Sequence, residues 1–260
     1  MSANARQLAV LFVGAHPDDE TIMAAGTLAM LRQHGVRIHL LCATDGRGGE
    51  SGGVPGINSP ADLARVRECE LRCVADALEV DSLTLLGYED PVMGPNEKLF
   101  GFAADDDRLA RQIADVIDET NVAVVLGHGS DGEYGHPAHV QMHRATLRAI
   151  QEHAPDVLFY SGAALLPDGE DRLWNRHDPA HVALDITPWI ETKHAAMLCH
   201  RTQHALFMRR RKLSDVRDAI RVTESFHRHW PAAPGSPPDD LFTAWLLDAG
   251  AWRPAETPRS

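Results

Sequence analysis

The chain has 260 residues, 44% hydrophobic and 24% charged, which suits one large α/β domain with its own core and does not suit a disordered chain. Its 37 acidic against 25 basic side chains give a formal net charge of −12. That balance disfavours sequence-independent binding to nucleic acid or an anionic membrane, and the short basic run at 209–212 does not reverse it.

Residues 8–13 form an apolar run without polar alternation, which predicts a central strand buried on both faces. A helix is expected over 19–34, where Ile22, Met23, Leu28, Met30 and Leu31 recur and Gly35 supplies the stop. A second strand over 36–43 leads into a Gly-rich loop at 45–60, then a helix over 61–79 and a short strand over 82–86. The helix expected over 106–119 carries Leu109, Ile113, Val116 and Ile117 on one face and feeds a strand over 122–126. A loop at 127–135, a helix over 136–153 and a strand over 157–160 follow. This order predicts an α/β fold with a mainly parallel sheet, helices on both faces and right-handed crossovers. The last third is less regular: strands at 182–186 and 221–226, helices at 188–200 and 204–218, a loop at 232–238 and fraying after Trp252.

No apolar stretch approaches the roughly 18 residues of a membrane span, and residues 1–7 lack a secretory pattern. Cys42, Cys69, Cys73 and Cys199 form no CxxC pair. Cys69 and Cys73, four apart on a helix, are expected to be buried thiols, which fits a reduced cytoplasmic setting. The 15 histidines are in excess and point to metal ligands.

Ligands of open α/β sheets gather at the carboxyl ends of the strands. After the first strand, where a nucleotide site would want GxGxxG or GKS/GKT, stand His16-Pro17-Asp18-Asp19-Glu20. Imidazole with carboxylate suits zinc or another first-row divalent ion. His16 and Asp19 can turn toward one point, with Asp18 beside it; the plainer alternative is a helix N-cap with acidic residues on the dipole. After Leu126 comes Glu133-Tyr134-Gly135-His136-Pro137-Ala138-His139, in which His136 and His139 can share a helix-end face. There the alternative is one capping histidine and one surface histidine. Three ligands from two strand ends leave a coordination position open, as a catalytic zinc site requires, and the spacing is not HExxH.

The ordered pair Ala15-His16-Pro17-Asp18-Asp19-Glu20 and Tyr134-Gly135-His136-Pro137-Ala138-His139 resembles the LmbE-like (PIG-L) zinc-dependent de-N-acetylases. Weaker matches are Thr44 with Glu50, Arg67 with Glu70, Asp90, and the stretch 200–203; together they span roughly 8–226. The resemblance implies removal of acetyl from an N-acetylglucosamine-type amino sugar or its conjugate. By position, His16, Asp19 and His139 would bind Zn2+, and Asp18 would be the general base. His136 would be a general acid or stabiliser of the charged intermediate, with Tyr134 assisting the oxyanion, and Glu50, Arg67 and Asp90 would line the substrate pocket. Membrane-bound relatives act on a glycolipid through an N-terminal span; no such span is read here, so a soluble small-molecule substrate is expected. Ala138 stands where relatives often carry Asp.

The expected architecture is a single domain over 1–260, with a Rossmann-like three-layer core over 1–160 and a C-terminal portion over 161–260 packing on it. Two alternatives stay open: a zinc amidase acting on a thiol conjugate or an acylated natural-product sugar, and a metal-binding protein without catalysis. Asp18, a carboxylate that the metal does not need, speaks for chemistry. Asp105, Asp106 and Asp107 read as capping residues, the loop at 46–53 as a wall of the cleft, and His194, His200 and His204 as packed or solvated unless one orients a ligand. Whether the chain forms a homo-oligomer is not legible.

Overall fold

The computed structural model describes residues 7–167, 175–209, 212–233 and 238–254. The expected basic run, the loop at 232–238 and the frayed tail fall partly outside these residues.

Five parallel strands form the main part of one seven-stranded sheet: β1 (Gln7–Gly14), β2 (Arg37–Thr44), β3 (Ser82–Tyr88), β4 (Val122–Gly127) and β5 (Leu158–Ser161). A short parallel pair, β6 (Ala164–Leu165) with β7 (Asn175–Pro179), stands apart. β8 (Val182–Asp185) and β9 (Thr223–Trp230) extend the main sheet antiparallel, in the order β3-β2-β1-β4-β5-β9-β8. The C-terminal third thus both packs on the core and completes its sheet.

Helices cover both faces, as the unbroken apolar run of β1 requires. Val10 and Phe12 point into a core with α1 (Asp19–Gln33), while Ala9, Leu11 and Val13 point into one with α3 (Asp106–Thr120). α2 (Pro60–Ala77) and α6 (Ile190–Cys199) pack on the α1 side, and α5 (Pro137–His153) beside α3. Between α3 and α5 a single turn, α4 (Gly132–Gly135), interrupts the expected loop. α1 lies so close to the chain after β8 that a Cβ on Gly26 would sit 2.5 Å from the Ile186 side chain.

Three expectations change. The helix expected over 204–218 ends as α7 (His204–Arg209), and a separate 3-10 turn, capped by the Asp215 side chain, follows at Val216–Ala219. An unforeseen helix, α8 (Leu241–Asp248), starts at a reciprocal cap between Asp240 and Thr243 and buries Phe242 and Leu246. Cys73 is paired with Cys199 in a disulfide, and Cys69 is exposed. The two α2 cysteines lie four apart, but only Cys73 meets α6; the free-thiol argument for a reduced compartment therefore loses its support. No helix among the described residues is long and apolar enough to cross a membrane.

Candidate metal centre and its cleft

β1 pairs with β2 on one side and β4 on the other, so the chain leaves the sheet in opposite directions at the carboxyl ends of β1 and β4. That is where an open parallel sheet leaves a crevice. The two histidine-bearing segments begin there.

At the β1 end, Asp19 opens α1 and turns its carboxylate back over the strand. Oδ2 accepts from the backbone N–H of Ala15 at 2.9 Å and of His16 at 2.7 Å. At the β4 end, Gly132 and Glu133 both take positive φ, and the sharp turn carries the chain to His136. The His136 imidazole is the N-cap of α5: its Nδ1 accepts from the Ala138 N–H at 3.2 Å. Of the two histidines of this segment, His136 is thus the capping one.

The donor atoms converge. His16 Nδ1 lies 3.2 Å from His139 Nε2, His139 Nε2 lies 3.4 Å from Asp19 Oδ1, and His16 Nδ1 lies 3.7 Å from Asp19 Oδ2. Ligands about 2.0–2.1 Å from a tetrahedral ion stand about 3.3 Å apart, so the His16–His139 and His139–Asp19 Oδ1 separations fit one cation, while the 3.7 Å contact is to the other Asp19 oxygen, which the backbone already engages. The hydrogen bonding points the same way. His139 Nδ1 donates to Glu133 Oε2 at 2.5 Å, which turns the Nε2 lone pair inward. His16 Nε2 faces Asp90 Oδ1 at 3.3 Å, without hydrogen-bond alignment, which leaves Nδ1 for the centre. Two imidazole nitrogens facing each other at 3.2 Å need a shared proton or a cation between them. The donor set therefore fits a first-row divalent ion. Two wider groups, each with donor atoms within 4.8 Å, share His139: His16 and His136 complete one, Asp19 and His128 the other.

His128 and Glu133 were not singled out in the sequence. His128, fully buried just past β4, sits 3.1 Å from Asp19 Oδ2 and 3.0 Å from Glu133 Oε2. Glu133 Oε1 also accepts from Gly129 N at 3.0 Å and Asn175 Nδ2 at 3.2 Å. One carboxylate thus fixes two rings, as supporting carboxylates do around metal-binding histidines. His128 shares with His16 its place at a strand's carboxyl end, and that rule would have found it.

Burial and charge set the protonation pattern. Burial lowers the His16 pKa, but Asp19 and Asp90 outweigh it and raise it to about 9. Burial likewise opposes His128, whose neighbours Glu133 and Asp19 raise it to about 10. Burial, with His139 and His16 adding, pushes His136 down to about 2, so it is neutral. Its Nδ1 being the cap acceptor, the proton of that neutral ring lies on Nε2. Burial raises Asp18 to about 6, against the opposing charge of Arg67. Cation uptake here would release protons, because ligands must shed them.

Asp18 sits at φ +133°, in a backbone region rare for a side-chain-bearing residue. Arg67, on α2, holds this conformation: its guanidinium donates to the carbonyls of Pro17 and Gly46 and lies 3.3 Å from Asp18 Oδ2. Gly46 and Gly49 let the loop backbone come this close, since a Cβ on either would sit 2.7 Å from Arg67 Nη1. The residues expected to line a substrate pocket are thus dispersed. Arg67 is a buried clamp, Asp90 is buried beside His16, and Glu50 pairs with Arg209 at 2.5 Å. None of the three lines the cleft that opens on the centre. That cleft, about 190 Å³, is bounded by Asp18, Asp19, His139 and the 42%-exposed Tyr134. Its wall is largely apolar, from Ile22, Met23, Met197, Leu206, Phe207 and Ile220, with Lys193, Arg221 and Glu224 as charged members. Tyr134 lies edge-on to His136 and His139, at 5.8 and 5.6 Å between ring centroids.

Buried carboxylates on the core also hold the 200–203 stretch. His200 Nε2 meets Glu20 Oε1 at 3.0 Å, and Thr202 donates to both oxygens of Glu70, at 2.8 and 2.7 Å. Of the three histidines weighed there, His200 is the one that braces the metal-motif helix.

A parallel-sheet protein with a His–Asp–His centre at its topological switch is the class that fold and site define. Residues 11–150 match the PIG-L family, described as GlcNAc-PI de-N-acetylase, and the chain belongs to that family. It is 36% identical over 176 residues to the 1D-myo-inositol 2-acetamido-2-deoxy-alpha-D-glucopyranoside deacetylase of Kineococcus radiotolerans, covering 60% of this chain and 48% of that protein. The chain spans about half the length of the first such relatives it matches, at 48%, 58% and 55%. Among solved structures it resembles N,N'-diacetylchitobiose deacetylase from Pyrococcus horikoshii (20% identity, TM-score 0.59, 85% of this chain and 83% of that one). It also resembles the 4-carboxy-2-hydroxymuconate hydratase of Pseudomonas putida (21% identity, TM-score 0.60, 90% and 99%). The two named activities differ, so the shared fold leaves the chemistry to the site.

Proposed function

We propose that this chain is a zinc-dependent amide hydrolase that removes the acetyl group from an N-acetylated, glucosamine-type amino sugar or its conjugate. The observation that carries this reading is the inward-facing pair His16 Nδ1 and His139 Nε2, 3.2 Å apart, with the carboxylate of Asp18 beside them at the end of a cleft. The deacetylase names of the relatives support the reaction class and the amino-sugar substrate.

His16, Asp19 and His139 would hold the cation. When bound, a divalent ion of this kind lowers the pKa of water toward 7 and polarises a carbonyl. Asp18, ionised, takes the proton of the attacking water as the new C–O bond forms at the amide carbon. His136, neutral, offers its Nε2–H to the oxygen that gains charge, a hydrogen bond that strengthens toward the transition state. Tyr134, at the rim, is the second group turned to that oxygen. The C–N bond then breaks, Asp18 delivers its proton to the departing nitrogen, and acetate and a free amine result. In this reading His136 stabilises charge, which suits a ring that burial and the neighbouring imidazoles keep neutral, and a proton-donating imidazolium is the alternative.

The test is acetate release from a panel of N-acetylated amino sugars, free, as disaccharides and as inositol conjugates, beside an acylated thiol conjugate. The reading expects acetate from at least one amino sugar, lost on chelation and restored by Zn2+. Turnover of the thiol conjugate alone would favour that amidase, and a metal-loaded protein inert on the whole panel would favour a non-catalytic role.

A further inference from the structure

The sheet carries a second group of donor atoms that the reaction above does not use. His227 and His229 are two apart on β9, so their side chains leave the same face of the strand. Asp178, on β7, brings a carboxylate to that face, and one donor atom from each of the three lies within 4.8 Å of the others. We propose that Asp178, His227 and His229 form a second cation site, suited to Zn2+ or a neighbouring first-row divalent ion.

Hydrogen bonds prepare two of the three ligands. His227 Nδ1 donates to the Pro179 carbonyl at 2.7 Å, which fixes the tautomer and leaves Nε2 with its lone pair. This is the backbone support that metal-binding histidines use. The ring is further held by His181, stacked on it at 4.2 Å, while His181 itself accepts from Arg228 N at 3.0 Å. Asp178 is oriented by Ser130, whose N–H and Oγ donate to separate oxygens, both at 2.7 Å. His229 Nε2 lies 3.5 Å from Asp178 Oδ2, too long and too poorly placed for a hydrogen bond and close to the spacing of two ligands on one ion. The same nitrogen is 2.9 Å from Ser161 Oγ, so it binds a cation by giving up this hydrogen bond. Asp178 and His229 are nearly enclosed, at 5% and 10% side-chain exposure, and His227 is half-buried and gives the way in.

An ion here would pin three separate pieces of chain together: β7, β9 and, through Ser130, the loop that carries Glu133 and His136. It would thus brace the catalytic turn without touching the catalytic centre. Packed histidines without a cation are the competing account, and stoichiometry decides between them. Protein stripped with a chelator and dialysed is titrated with Zn2+ against a chromophoric chelator. The unaltered chain is expected to take up two equivalents and His227→Gln/His229→Gln one. If that double variant does not fold, His227→Gln alone, altered at a half-exposed ring, is expected to weaken the second equivalent by about tenfold or more, with the first unchanged. A single equivalent in the unaltered chain, two equivalents in the double variant, or an unweakened second equivalent in His227→Gln would overturn the site.

Discussion

Glu133 Oε2 lies 2.5 Å from His139 Nδ1 and 3.0 Å from His128 Nδ1, so one carboxylate oxygen orients histidines from both ends of the β4–α5 turn. It does so from a residue at φ +61°, a conformation that costs free energy in a side-chain-bearing residue and that its dense hydrogen bonding sustains. Glu133→Ala should therefore lower cation affinity by about 10–100-fold, the usual effect of losing such a support. Chelator competition measures it. Wild-type affinity in the variant would mean that packing alone orients His139.

Asp18→Asn keeps the shape and removes the proton acceptor. Cation content should persist while turnover falls by about 10²–10⁴. The acid must be ionised to act, so activity is lost as pH falls through its pKa. Burial sets that value at about 6, and a nearby cation, favouring the charged form, moves the acidic limb lower still. The pH profile of kcat/KM should show this limb, read as a property of the coupled site. Near-normal turnover in Asp18→Asn would assign the base elsewhere, with Glu20 next.

His136→Ala should cost turnover more than cation content. Because burial and the neighbouring imidazoles hold His136 neutral, the variant should lose rate across the pH range without moving the alkaline limb. A shifted alkaline limb would restore a proton-donating role, and loss of the cation would make His136 a ligand.

Lys193 and Glu224 form a buried ion pair of 2.7 Å along the cleft wall, and Glu224 also accepts from Gly26 N at 2.9 Å and Thr27 N at 2.7 Å. Lys193→Met leaves that carboxylate without its cation, which should cost about 3–5 kcal/mol. Adding Glu224→Gln should recover part of the loss. Thermal unfolding of the single and double variants checks both; equal stability of Lys193→Met and wild type would contradict the pairing.

Much of the core was legible because its strands are continuous apolar runs: 8–13 was expected and Gln7–Gly14 found, 122–126 expected and Val122–Gly127 found. β7 reads Asn-Arg-His-Asp-Pro, with no apolar alternation to mark it, and among the described residues it pairs with β6 at two registered positions. α8 has an Asp N-cap, but a Thr stands where the usual capping box has Glu or Gln, which weakens the start signal. At the site, the histidines and aspartates stood out by type and place. Glu133 did not, because what it does depends on a turn that places a carboxylate behind two rings. Cys73 and Cys199 are 126 residues apart, a separation at which no spacing rule speaks.

β9 pairs with β5 on one side and with β8 on the other, although it is the last strand among the described residues. A nascent chain made only as far as β8 would have β5 as an open sheet edge and β8 with no neighbour in the main sheet. Such an edge invites pairing with other chains until residues 223–230 arrive to fill it. The stretch through β5, which carries both histidine-bearing motifs, thus forms a sheet whose border is sealed only once β9 has been made. Truncations that spare every residue of the centre but remove β9 should accordingly aggregate sooner than they lose their chemistry.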